Sequence, residues 1–111
     1  MTLNATLLGA LRPVVPTVAP GVYTGDETKY ITFNYDLVPV NFSDNGTNWW
    51  KALIQIHLVL PLGENSVKLR GDISSALVKA DFTPPEIIDA TDKDCQHYVF
   101  ETESIISMKG E

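Results

Sequence analysis

The stretch Trp49-Trp50-Lys51-Ala52-Leu53-Ile54-Gln55-Ile56-His57-Leu58-Val59-Leu60 decides the fold. Successive side chains of a strand point to opposite faces. Ile54, Ile56, Leu58 and Leu60 therefore line one face, and Leu53, Gln55, His57 and Val59 the other. The first set is uniformly apolar and the second mixed, which predicts a long central strand packed on a core on one side and half-covered on the other. The run is too short to cross a membrane as a helix, which needs about 20 apolar residues, and Gln55 and His57 interrupt it.

Upstream, Lys29 to Leu37 alternates in the same way, with Ile31, Phe33 and Tyr35 opposite Tyr30, Thr32 and Asn34. This composition of aromatic and β-branched residues predicts a second strand. Between the two strands lies Val40 to Asn48, carrying Asn41, Ser43, Asp44, Asn45, Gly46 and Thr47. The stretch is too long for a tight hairpin turn and too polar for a core, so a mobile loop is expected at its tip. Further upstream, Thr2 to Leu11 places Leu3, Leu7, Leu8 and Leu11 on one helical face, with Thr2 or Asn4 as N-cap and Pro13 as terminator. Pro13, Pro16 and Pro20, interleaved with Val14, Val15 and Val18, then predict an extended proline-rich arm ending at Pro20-Gly21, which would pack on its own sheet or on a neighbour.

Downstream, Pro61-Leu62-Gly63 breaks the central strand, and Glu64 to Ala80 shows the stripe Leu69, Ile73, Ala76, Leu77, Ala80 of a core-facing helix. Gly71 inside it costs about 1 kcal/mol relative to alanine, so a close helix-to-sheet approach is expected there. Thr83-Pro84-Pro85 leads to a hairpin: Glu86 to Ala90, a polar turn at Thr91 to Asp94, and a strand from Gln96 to Ser107 in which Tyr98, Phe100, Thr102, Ser104 and Ile106 share a face. The expected fold is a single α+β domain over residues 1–111, an antiparallel sheet of about four strands packed by one main helix, with a short N-terminal helix and the arm.

Composition narrows function further. The 111 residues are 44% hydrophobic and 20% charged, the balance of one globular domain. Eight Lys and Arg against 14 Asp and Glu leave a formal charge of -6, which opposes any electrostatic grip on nucleic acid or anionic lipid. Cys95 is the only cysteine, so no internal disulfide or Cys-rich zinc module is expected. Asn4-Ala5-Thr6, Asn41-Phe42-Ser43 and Asn45-Gly46-Thr47 fit the glycosylation pattern and are expected to be chance matches, since the start Met1-Thr2-Leu3-Asn4-Ala5 does not read as a basic, apolar leader.

Catalytic candidates reduce to His57 and His97 near Asp89, Glu101 or Glu103. His57 sits at a regular strand position and His97 at a strand end, so structural roles are favoured. Cys95 follows Asp94, which disfavours its thiolate. Glu86, Asp89, Asp92 and Asp94 lack the glycine and terminal Glu of a calcium loop. No metal, cofactor or enzymatic activity is expected. Trp49 and Trp50 are more informative, because adjacent strand residues face opposite ways and one small core cannot bury both indoles. With Val14, Val15, Val18 and His57 they are the expected protein-interface residues of a self-associating subunit.

Tyr30 to Tyr35 (YITFNY), Leu53 to Leu58 (LIQIHL) and Pro61 to Asn65 (PLGEN) resemble small neck and tail proteins of long-tailed bacteriophages and prophages: the tail-terminator or tail-completion proteins, also termed minor capsid or head-tail joining proteins. The resemblance runs from Leu7 to Ile106 and consists of strand patterns; the Trp49-Trp50 pair and the arm are not matched. It implies a helix-flanked sheet that assembles into an oligomeric ring, commonly a hexamer, ending the tail tube and joining it to the head connector. It also implies a non-enzymatic virion protein of the tail or neck, assembled in the bacterial cytoplasm. Its partners would be further copies, the tail tube protein and connector proteins, with DNA passing through an acidic lumen without specific binding. The second reading is a small prophage-encoded binding module, accessory or inhibitory, that forms no ring and makes contact through Trp49 and Trp50.

Overall fold

The computed structural model describes residues 2–40 and 49–107. The loop expected to be mobile therefore falls at residues 41–48, outside the described residues. The elements are α1 (Leu3–Leu11), β1 (Val18–Pro20), β2 (Tyr30–Pro39), β3 (Trp49–Leu60), α2 (Val67–Lys79), β4 (Glu86–Asp89) and β5 (Gln96–Ser107). The fold is α+β, with one sheet ordered β1-β2-β3-β5-β4.

Two features of the expected sheet are corrected. It has five strands rather than four, and it is mixed rather than antiparallel, because β1 runs parallel to β2 with Val18 opposite Ile31. The additional strand comes from the proline-rich segment, which packs on its own sheet rather than on a neighbour. Val15 and Val18 are only 1% and 8% exposed and belong to the core, and Val14 packs against it. The segment is fastened by backbone bonds from Ile31 N–H to the Thr17 carbonyl and from Gly21 N–H to the Phe33 carbonyl. The prolines tolerate this because an edge strand needs hydrogen bonds on one side only.

The three long strands pair antiparallel, with Phe33 opposite Ile56 and Ile56 opposite Phe100. That register puts Ile31, Phe33, Ile54, Ile56, Leu58, Tyr98 and Phe100 on one buried face, joined by Leu3, Leu7 and Leu11 of α1 and by Ile73 and Leu77 of α2. Both helices thus cover the same side of the sheet. Thr2 caps α1, its Oγ1 accepting the Ala5 N–H at 3.1 Å, and in the turn ahead of α2 the Asn65 side-chain oxygen accepts the Val67 N–H at 3.0 Å.

α2 starts three residues later than the expected Glu64, because the preceding turn is held by β5. Gln96 Nε2 donates to the carbonyls of Pro61, Leu62 and Glu64 at 2.7, 3.2 and 2.6 Å. Its Oε1 accepts the buried Tyr98 hydroxyl at 2.8 Å, and that hydroxyl accepts from Ser66 Oγ at 3.1 Å. At the other end, Phe82 N–H bonds the Leu77 carbonyl and Asp81 N–H the Val78 carbonyl, a Schellman cap with Asp81 at φ 69°. The close approach expected at Gly71 is absent: a Cβ there would meet nothing within 4 Å. The glycine lies on the exposed side of the helix.

Candidate functional site

The face of the sheet opposite the helices is the candidate site. Its rows follow from the pairing register. Tyr30, Val59 and His97 form one row, Thr32, His57, Val99 and Ile88 the next, and Asn34, Gln55, Glu101 and Glu86 the middle. Beyond them come Asp36, Leu53 and Glu103, then Val38, Lys51 and Ile105. Trp49 stands on this face opposite Ser107, whereas Trp50 pairs with Pro39 and Ile106 on the helix side. The expectation that the two indoles part is thus met by the register, and Trp49 is the exposed one.

Five large apolar side chains of this face keep much of their surface in water: Trp49 43%, Val38 42%, Leu53 40%, Ile105 53% and Ile88 45%. Trp49, Val38, Leu53 and Ile105 gather at one end, around a Lys51–Glu103 ion pair with N···O 3.7 Å. The middle is acidic and amide-lined. A depression of about 490 Å³ there is bordered by Asn34, Asp36, Gln55, Glu86, Glu101 and Glu103.

The far end is aromatic. The Tyr23 and Tyr30 rings lie 4.6 Å apart, and His57 Nδ1 sits 2.9 Å from His97 Nε2. The two histidines are diagonal neighbours on β3 and β5, a proximity that needs the register and so escapes inspection of the sequence. At that distance one ring nitrogen donates and the other accepts. Burial, followed by the nearness of His97, pushes His57 below its ordinary value. The carboxylates weighed as catalytic partners are engaged with other groups, although Glu101 is, like His97, a diagonal neighbour of His57. Asp89 is engaged with Thr91, whose bonds hold its pKa down, and Glu101 accepts from Gln55 at 3.4 Å. Cys95 is shifted up by burial and by Asp92 and Asp94. Among the described residues, no group of three or more His, Cys, Asp or Glu side chains could hold a metal.

Of the expected interface residues, Trp49, Trp50 and His57 are on or beside the exposed surface, whereas Val15 and Val18 are withdrawn into the core. Leu53 belongs to the mixed face expected to be half-covered, and it is 40% exposed; missed from sequence were Ile88 and Ile105, whose exposure depends on which side the helices cover. On the helix side, the gap between α1 and α2 forms a groove of about 620 Å³ lined by Ala5, Gly9, Ala10, Ala76 and Ala80.

No family model and no curated protein matches the chain. The chain is similar to a solved protein structure whose name states no activity, with a TM-score of 0.60 and 13% identity over 90% of this chain and 86% of the other. At that identity the likeness shows the fold alone.

Proposed function

We propose that this protein is a structural subunit of a phage tail or neck, in which copies associate through the helix-free face of the sheet and close into a ring, commonly a hexamer. That ring would end the tail tube and join it to the head connector. The observation that carries the reading is the one-sided sheet: five large apolar side chains, Trp49 among them, lie on a face that no element among the described residues covers. Four of the five gather at one end of that face, and a solitary domain rarely leaves such a cluster in water.

The dimensions are adequate. β2, β3 and β5 have 10, 12 and 12 residues; at about 3.3 Å per residue and 4.8 Å between strands, the face is about 35–40 Å long. With the edge strands, its accessible area is of the order of the ~800 Å² that a standard interface buries per partner. The net charge of -6 suits a lumen through which DNA slides without sticking. Similarity of the strand patterns to tail-terminator and tail-completion proteins supplies the biological setting.

The second reading, a binding module that forms no ring, is favoured by the gathering of Trp49, Val38 and Ile105 at one corner, a compact contact for a different protein. Sedimentation across a wide concentration range, with negative-stain images of the heaviest species, separates the two. Ring-sized particles support the first reading. A monomer at all concentrations, also in the presence of tail tubes, overturns it.

A further inference from the structure

The two edges of the sheet differ. β1 is three residues long, ends in Pro20 and lies beside α1, whereas β4 (Glu86–Asp89) is exposed at every residue, and no strand among the described residues lies beyond it. Which backbone groups of β4 face outward follows from its pairing. The Ala90 N–H bonds the His97 carbonyl at 2.7 Å, so Ala90 and His97 form a hydrogen-bonded pair. Bonded and non-bonded pairs alternate along an antiparallel ladder, so Ile88 and Glu86 also bond toward β5. The N–H and C=O groups of Ile87 and Asp89 then point away from the sheet. Such an edge is a template for a further strand.

The side chains specify what that strand would be. On the helix-free face, Glu86 stands directly opposite Glu101, a like-charge pairing that destabilises a ladder. No Lys or Arg forms an ion pair with either among the described residues; Lys51 pairs with the neighbouring Glu103. On the helix face, Ile87 is 40% exposed, and Asp89 feels the Arg70 guanidinium, which is stacked over Tyr98 at 4.4 Å. Uncompensated negative charge is therefore concentrated on one face of the edge. A second copy of β4 would add its own Glu86 and Asp89 beside these carboxylates.

We infer that β4 takes an extended segment of another protein by strand addition, the segment placing basic side chains over Glu86 and Glu101 and apolar ones beside Ile87. This edge adjoins the helix-free face, with which it shares Glu86 and Glu101, but the inference does not depend on the tail reading.

The probe is a fluorescein-labelled decapeptide of alternating lysine and valine, with an alternating glutamate and valine peptide as control. Fluorescence anisotropy is expected to show saturable binding of the lysine peptide only, weakening as salt is raised. Ile87→Pro deletes an outward N–H while sparing the bonds to β5, and is expected to weaken binding by about tenfold, the effect of losing one strand-to-strand backbone bond. Glu86→Lys should weaken it comparably and admit the glutamate peptide. Circular dichroism melts confirm that both variants fold, and amide exchange reads Ile87 and Asp89 directly. No binding by the wild type, or equal binding by Ile87→Pro, overturns the inference. So does concentration-dependent protection of those two amides in the protein alone, which would show a second copy on the edge.

Discussion

Replacing Gln96 by Met tests how the turn between β3 and α2 is held, and hence how the helix layer is fixed to one side of the sheet. The side chain is buried and nearly isosteric with methionine, so shape is conserved and hydrogen bonding is removed. The Pro61 and Glu64 carbonyls and the Tyr98 hydroxyl proton each lose a partner, while the exposed Leu62 carbonyl can turn to water. At about 1 kcal/mol net per buried hydrogen bond, the loss is about 3 kcal/mol. That is a large part of the roughly 5–15 kcal/mol that stabilises a domain. A domain of this size loses about 4–8 °C per kcal/mol, so Tm should fall by about 12–24 °C. Differential scanning calorimetry measures it, with Gln55→Met on the helix-free face as the control, expected within about 0.5 kcal/mol of wild type. A Gln96→Met protein melting within about 2 °C of wild type would refute the assigned network.

Other outcomes follow from the same geometry. Leu53→Lys combined with Ile105→Lys removes apolar surface that is 40% and 53% exposed; taking about 2.3 kcal/mol for a fully buried aliphatic side chain, the lost association energy is about 2 kcal/mol. The association constant measured by sedimentation should therefore drop about 30-fold, with Tm nearly unchanged. Asp81 occupies the left-handed region at φ 69°, so Asp81→Gly should stabilise by about 0.5–1 kcal/mol in chemical denaturation, and Asp81→Val should destabilise. His57 is held below its ordinary value of 6.5. The unfolded chain thus takes up that proton first, and the stability present above 6.5 declines as pH falls through the window just below it. His57→Gln should flatten that slope in melts recorded from neutral to mildly acid pH.

What was legible in the sequence were the elements whose period is local. β3 begins at Trp49 and ends at Leu60 as the alternation predicts, and Ile54, Ile56, Leu58 and Leu60 are its buried set. The Thr2 cap and the shared face of Tyr98, Phe100 and Thr102 are likewise as read. The failures are non-local. β1 was hidden because three residues between prolines show no period, and their strand character comes only from pairing with β2. The start of α2 moved because Gln96, distant in sequence, holds the turn before it. Glu64 lies ahead of α2 and pairs with the distant Lys29 at 2.9 Å, while within the helix Lys68 reaches Asp72 four residues on. For the site, Trp49 was legible because adjacent strand residues diverge. Leu53 was legible as part of the mixed face of β3, whereas the exposure of Ile105 and the meeting of His57 with His97 required the register and the side on which both helices lie.

The central claim is that the helix-free face, rather than the helical one, is covered by other copies. Photo-crosslinking tests it directly, with a benzophenone amino acid placed at position 53 in one protein and at position 9 in another. Gly9 lies on the exposed side of α1, where a Cβ meets nothing within 4 Å, so the substitution is accommodated. Covalent multimers from position 53 and none from position 9 are the predicted result; multimers from position 9, or none from position 53 at high concentration, would contradict it.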